Sequence, residues 1–185
     1  MPYIPLEEHL PGITGLLEYR RDTAEPIREL TQILLRGSST LTEAERELIA
    51  TVVSHGNACR FCTSAHAAVT NLLMGESDTA EKVKIDIETA PVSEKMKALL
   101  TIAKLVQQNG KLVTPSTVER AKKAGATDRE LHDTVLIAAL FRLYNRYVGG
   151  LATVTPTAPE FYQGLAQRIA TGYHRLPQGY DHLKK

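Results

Sequence analysis

Apolar residues recur along this chain at spacings of three and four, the period of a helix with one buried face, and alternation at period two is nowhere sustained. The pattern predicts an all-α architecture. A first helix is expected with Pro26 in its opening turn, Ile27, Leu30 and Leu34 facing inward, and Gly37 as its stop. Thr42-Glu43-Ala44-Glu45 is a capping box, in which hydroxyl and carboxylate satisfy orphan amides at a helix start. The helix behind it carries Leu48, Ile49, Val52 and Val53 on one stripe and ends at Gly56-Asn57. Another is predicted from about Arg60 to Met74, stopped by Gly75.

Asp78-Thr79-Ala80-Glu81 opens a helix that must end near Pro91, and Ser93 caps one with Met96, Leu99, Leu100, Ala103 and Val106 inward, closed by Gly110. Thr114-Pro115 starts a short helix that ends at Gly125. A second capping box, Thr127-Asp128-Arg129-Glu130, opens a long helix towards Gly149-Gly150, whose stretch from Val135 to Leu140 reads as deeply buried. Pro156 to Pro159 is a linker, and Glu160 to Thr171 forms a last helix. The 185 residues suit a single helical domain, 1–185, with an N-terminal arm to about residue 12 and a C-terminal arm from about residue 172.

Composition narrows the function. A hydrophobic fraction of 43% with 23% charged residues belongs to a chain that folds. Net charge is +1, with Lys and Arg scattered among acids, so no basic stripe suits a nucleic acid. The longest apolar runs, such as Thr134 to Phe141, fall far short of the roughly 20 residues that span a bilayer, and no membrane partner is expected. The start, Met1-Pro2-Tyr3-Ile4-Pro5 followed by Glu7 and Glu8, lacks the basic and apolar regions of a signal peptide, which makes the cytoplasm the expected location. Two closely spaced cysteines in that compartment point to redox or metal chemistry, because ordinary bridges are reduced there.

Those cysteines are Cys59 and Cys62, three apart at a helix start, where two sulfurs can close a disulfide and the helix dipole stabilises a thiolate. His66 is four residues past Cys62, on the same helix face, placed to take or return a thiol proton. Glu47, one helix earlier and off the core stripe, can face the cleft above the cysteines as a terminal base. Each residue also has a plainer reading. The cysteines can be small buried hydrophobes, or join His66 in a zinc site completed by Glu47 or His55. Glu47 alone is a solvated helix residue, and His55 either caps a helix C-terminus or supports the site. Thr63 directly follows Cys62, so the histidine needed for c-type haem attachment is missing. Tyr144-Asn145-Arg146-Tyr147 sets unusual polarity in an apolar helix, as a buried network or, preferably, an interface. His9, His132, His174 and His182 have no partner at a telling spacing. The attacking sulfur is ambiguous on physical grounds: the dipole favours Cys59, the imidazole one turn on favours Cys62, and the balance favours Cys62.

Glu47, Cys59, Cys62 and His66 match in identity and spacing the Glu…Cys-x-x-Cys-x-x-x-His signature, and the chain resembles the AhpD-like alkylhydroperoxidases, in the peroxidase-related branch of the carboxymuconolactone decarboxylase superfamily. The helix series and Asn145-Arg146 extend the resemblance over most of the chain. It implies an all-helical fold, a homo-oligomer (trimer or hexamer), and thiol-dependent reduction of hydroperoxides. Cys62 would be the peroxidatic thiol, Cys59 the resolving thiol, and Glu47 with His66 a proton relay. An external dithiol protein would reopen the disulfide, and no bound cofactor is needed. One position departs: where the best-known peroxidases of the family carry a second histidine, just before the second cysteine, this chain has Phe61. The superfamily's decarboxylases lack the cysteine pair, which argues against the lactone reaction. Two rival functions remain, a redox-sensing or interaction protein with a regulatory disulfide, and a general disulfide reductase.

Overall fold

A computed structural model describes residues 1–184. Nine α-helices and no strand occur among the described residues: α1 Ile13–Tyr19, α2 Arg21–Arg36, α3 Glu43–Gly56, α4 Arg60–Met74, α5 Thr79–Ile85, α6 Glu94–Gln108, α7 Pro115–Lys123, α8 Asp128–Gly150 and α9 Pro159–Ala170. The predicted all-α class is the one observed. Both capping boxes form: Thr42 Oγ1 accepts from the Glu45 amide at 3.2 Å, and Thr127 Oγ1 from the Glu130 amide at 3.1 Å. Ser93 likewise accepts from the Met96 amide.

The centre of the molecule is α3, which packs most extensively on α4 and then on α6 and α8. Leu48, Ile49 and Val53 of α3 are fully buried against Leu99 and Leu100 of α6 and Ile137 of α8. A second, smaller cluster joins Leu16 of α1, Phe61, Cys62 and Ala65 of α4, Val148 of α8, and Tyr162 and Leu165 of α9. Among the described residues no helix is long and apolar enough to cross a membrane.

Several elements depart from the sequence pattern. Helix α1 was not expected, and α2 begins at Arg21, so Pro26 lies inside it rather than in its opening turn. Pro26 is itself exposed, and Asp22, whose carbonyl its missing amide leaves without a helical donor, lies in the exposed first turn. The inward face of α2 is Ala24, Arg28, Thr31, Leu34 and Leu35, whereas Leu30 is 37% exposed. Arg28 borders a cavity described below, and Thr31 is buried with its hydroxyl bound to the Ile27 carbonyl and to the Tyr144 hydroxyl. Arg46 of α3 donates to the Leu34 and Gly37 carbonyls at 3.1 and 2.9 Å, satisfying the end of α2 with a buried cation. Helix α5 stops at Ile85, well before Pro91. Val135 and Ala139 reach the surface of α8, so only Ile137, Ala138 and Leu140 of that stretch are buried.

The two chain ends lie against the domain. The Tyr3 amide donates to Leu151 carbonyl at 3.1 Å and the Gly12 amide to Val154 carbonyl at 3.0 Å. Tyr180, near the C-terminus, is buried, and Tyr173 reaches the centre of the molecule. Gly12 has φ 63°, and a Cβ built there would lie 2.2 Å from the Phe61 ring. Gly12→Ala should therefore combine backbone strain with overpacking and cost about 2–4 kcal/mol, read as a lowered denaturant midpoint. An unchanged midpoint would mean that the N-terminal segment does not hold Phe61.

Candidate functional site

The site is built on the turn between α3 and α4. Helix α3 ends at Gly56, and Ala58 adopts the left-handed φ of 53°, a conformation that costs a non-glycine residue about 1 kcal/mol. This sharp reversal makes Cys59 the N-cap of α4, with its amide donating to the Ser54 carbonyl at 3.0 Å. Cys62 falls in the first turn of α4 and His66 one turn later, while Glu47 comes from the facing helix α3. The four predicted residues are thus brought together by one helical hairpin.

Glu47 is completely buried. Its Oε2 lies 2.6 Å from His66 Nδ1, and its Oε1 accepts from Arg36 Nη2 at 2.6 Å and from the Tyr173 hydroxyl at 2.5 Å. The solvated-helix reading is therefore wrong for this residue. Burial alone would raise the carboxyl's pKa, but the His66 imidazole, the Arg36 guanidinium and the Tyr173 hydroxyl outweigh it and hold the group below the ordinary carboxylate range. Its contribution to stability is complete above that range and is lost only as pH falls through the lowered value. Burial, followed by the Glu47 charge, pushes the Tyr173 phenol well above its usual value, so it stays a donor. With Nδ1 donating to an ionised carboxylate, His66 keeps Nε2 for proton exchange. Its ring is held edge-on to Phe141 at 4.5 Å.

Cys62 is 3% exposed and Cys59 half-buried, and both are free thiols. Their surroundings shift them in opposite directions. The Cys62 thiol, helped by the Cys62 backbone amide and the Asn145 side chain, brings Cys59 down to about 7 although burial opposes it. The Cys59 partner and burial push Cys62 far up. Ionisation is therefore favoured at Cys59 over Cys62, in line with its place at the helix N-terminus.

Asn145 belongs to a polar relay inside the fold rather than to a surface. Gln107 Nε2 donates to Asn57 Oδ1 at 2.8 Å, Asn57 Nδ2 to Asn145 Oδ1 at 2.8 Å, and Asn145 Nδ2 to Ser54 Oγ at 3.1 Å. Tyr144, its neighbour, is bound through its hydroxyl to Thr31 at 2.6 Å, whereas Arg146 is exposed. The preferred interface reading of Tyr144-Asn145 thus gives way to the buried network. His55 is exposed at the end of α3, away from the thiols' polar partners. Phe61 is 2% exposed and packs on Phe161 and Tyr162 at 6.3 and 6.0 Å between centroids, in an apolar cluster where an imidazole would lose its partners. Arg36 and Tyr173 were missed in the sequence, because α2 and the C-terminal segment meet Glu47 only through the fold.

A cavity of about 80 Å³ opens beside the relay. Cys62 and His66 lie in its wall with Phe61, Phe141, Tyr144 and Tyr173, and Cys59 is absent from it. His174, assigned no role from sequence, also borders it.

Residues 21–84 match the model of the carboxymuconolactone decarboxylase family, a stretch that begins with α2 and includes all four site residues. No curated protein matches the chain in sequence. Two solved structures share its fold. One is an uncharacterized peroxidase-related protein from Silicibacter sp. TM1040, with a TM-score of 0.75 and 24% identity over 83% of this chain and 79% of that one. The other, from Ralstonia eutropha JMP134, is described as an alkylhydroperoxidase AhpD core and an uncharacterized peroxidase-related protein, with a TM-score of 0.75 and 24% identity over 85% and 81%. Residues 21–84 are thus similar to the carboxymuconolactone decarboxylase family, and the fold as a whole is the one seen in the two peroxidase-related structures.

Proposed function

We propose that this chain is a thiol-dependent peroxidase that reduces organic hydroperoxides through Cys62 and Cys59. The observation that carries the reading is the meeting, in one cavity wall, of Cys62 with a His66 whose Nδ1 is held 2.6 Å from a fully buried Glu47 carboxylate. That is a thiol with a positioned proton acceptor, and the acceptor with an orienting charge.

The opposite shifts of the two thiols suggest a task for each sulfur. Cys62 lines the cavity but holds its proton firmly, so His66 Nε2 must remove it as substrate arrives. The Cys62 sulfur then attacks the terminal peroxide oxygen. An S–O bond forms, the O–O bond breaks, and its electron pair leaves on the alkoxide, which takes the proton back from His66. The products are the Cys62 sulfenic acid and an alcohol. Cys59, already a thiolate near neutral pH, attacks the Cys62 sulfur, closing the disulfide as hydroxide leaves and is protonated to water. An external dithiol returns the pair to its reduced form by exchange. The assembly proposed with this function is a homo-oligomer, supported by the exposed Val135 and Leu143 on the outer face of α8.

One observation favours a second reading. The thiolate at half-exposed Cys59 is suited to attack a disulfide from outside, as a general disulfide reductase does.

Steady-state assays with tert-butyl hydroperoxide and a dithiol donor should show turnover that either Cys→Ser change abolishes. Absence of peroxide consumption alongside rapid reduction of a disulfide substrate would favour the reductase. Glu47→Gln should slow peroxide turnover by about ten- to a thousand-fold. It should also cost roughly 3 kcal/mol in folding stability, since Arg36 loses its buried counter-charge. Full activity with normal stability would leave the relay without its base.

Trapping with a dimedone-type probe should label Cys62 in Cys59→Ser and little in Cys62→Ser; the reverse would exchange the roles. In the reduced wild type, alkylation at Cys59 should accelerate as pH rises through about 7. In Cys62→Ala that midpoint should move up towards the ordinary thiol range, because the largest stabilising contact is gone. A midpoint unchanged by that substitution would place the source of the thiolate elsewhere. Light scattering on dilute protein should give a multiple of the 20.4 kDa chain mass, and a monomer mass would remove the assembly from the proposal.

A further inference from the structure

The cavity that exposes Cys62 and His66 is apolar over most of its wall, yet two guanidinium side chains, Arg28 and Arg168, also border it. Their charges are met very differently. Arg28 Nη2 lies 3.2 Å from Glu18 Oε1, and its Nη1 donates to the Tyr180 hydroxyl at 3.2 Å. Glu18 is heavily committed, since Arg21 and Arg175 also approach it at 3.4 and 2.9 Å. Arg168 has no carboxylate within 4.0 Å among the described residues. Its Nη2 donates to Thr14 Oγ1 at 3.3 Å and its guanidinium lies over the Tyr180 ring at 4.9 Å. Its Nη1 is buried without any partner.

A buried charged donor left unmet is costly, and an enclosed apolar space with one unmatched guanidinium is complementary to a compact anion. The Glu47 carboxylate cannot fill this need, as it is engaged by Arg36, His66 and Tyr173. We propose that the cavity selects hydroperoxides that carry a carboxylate, the carboxylate accepting from the Arg168 guanidinium, which borders the cavity without a carboxylate of its own among the described residues, while the peroxide group meets Cys62. The proposal rests on the peroxidase reading and names its substrate class. The apolar body of the substrate lies against Phe61 and Phe141, and the reaction is the balanced two-electron exchange described above, with the carboxylate unchanged.

The test compares tert-butyl hydroperoxide with 3-hydroperoxy-3-methylbutanoate, which has the same branched skeleton plus a carboxylate. The wild type should favour the acid in kcat/KM by about ten- to a hundred-fold, the range of a hydrogen bond to a charged group. In Arg168→Gln the ratio should fall to near one, and in Arg168→Lys it should be intermediate, because the charge remains without the planar fork. Using a ratio removes any general loss caused by the substitution. Calorimetry with the non-reactive product, 3-hydroxy-3-methylbutanoate, should show binding to the wild type that Arg168→Gln abolishes. A wild-type ratio near one, with no binding of the acid, would overturn the anionic substrate while leaving the peroxidase reading intact. Turnover of neither hydroperoxide, with Arg168-dependent binding of the acid, would overturn the peroxidase reading and with it this substrate, leaving a carboxylate site of another reaction.

Discussion

A single buried carboxylate organises this molecule. Glu47 has no access to solvent, and an isolated ion there would be expensive, so its partners must be supplied by the fold. They come from three directions: Arg36 at the end of α2, His66 in α4, and Tyr173 from the C-terminal segment. Arg36 also donates to the Ile169 carbonyl at 3.0 Å, which brings the end of α9 to the same point. Four parts of the chain therefore converge because one charge has to be satisfied. The same convergence fixes the tautomer and orientation of His66, so stability and proton-transfer geometry have a common source.

The cysteine pair depends on that arrangement in a second way. Cys59 and Cys62 are chemically alike, but their surroundings separate them: one is half-exposed at a helix N-cap, the other lies deep in an apolar cluster. The hydrogen bond with Cys59, and then burial, raise the Cys62 thiol, so ionisation is favoured at the more exposed sulfur. In the proposed reaction this asymmetry is useful, since the sulfur that meets substrate has a base beside it and the sulfur that resolves is already ionised. Asn145, held by Asn57 and Ser54, supports both thiols and ties α8 to the turn that carries them. Phe61 walls the cavity and packs closely on Gly12 of the N-terminal segment.

Polar residues that look out of place along α2 and α9 make sense around this cavity. Arg28 and Arg168 border it at positions that a simple amphipathic pattern would give to leucines. They are tolerated because Glu18, Tyr180 and Thr14 supply partners for them, and in the proposed reading the Arg168 guanidinium, which has no carboxylate partner among the described residues, gives the cavity its affinity for an anion.

Most helices were legible in the sequence because their signals are local: a capping box needs four residues, an apolar stripe two turns, and a Cys-x-x-Cys-x-x-x-His face a single helix. Thr42, Ser93 and Thr127 cap helices as expected, and Cys59, Cys62 and His66 share one helix start. Local signals failed where a residue's environment came from far along the chain. Spacing marked Glu47 as a candidate base, but no local signal showed that it is buried while Glu43 and Glu45 are only half-buried. Its burial depends on Tyr173, 126 residues away, and on Arg36. Leu30 points outward and Arg28 inward because the C-terminal segment, with Tyr180, covers that side of α2. Asn145 reads as an interface until Ser54 and Asn57 are seen to receive it. The sequence by itself determined most of the helices and the placing of Cys59, Cys62 and His66 at one helix start, through spacings of a few residues. Only the tertiary structure decided which charges are buried together, because the energy of a buried charge is set by partners in space.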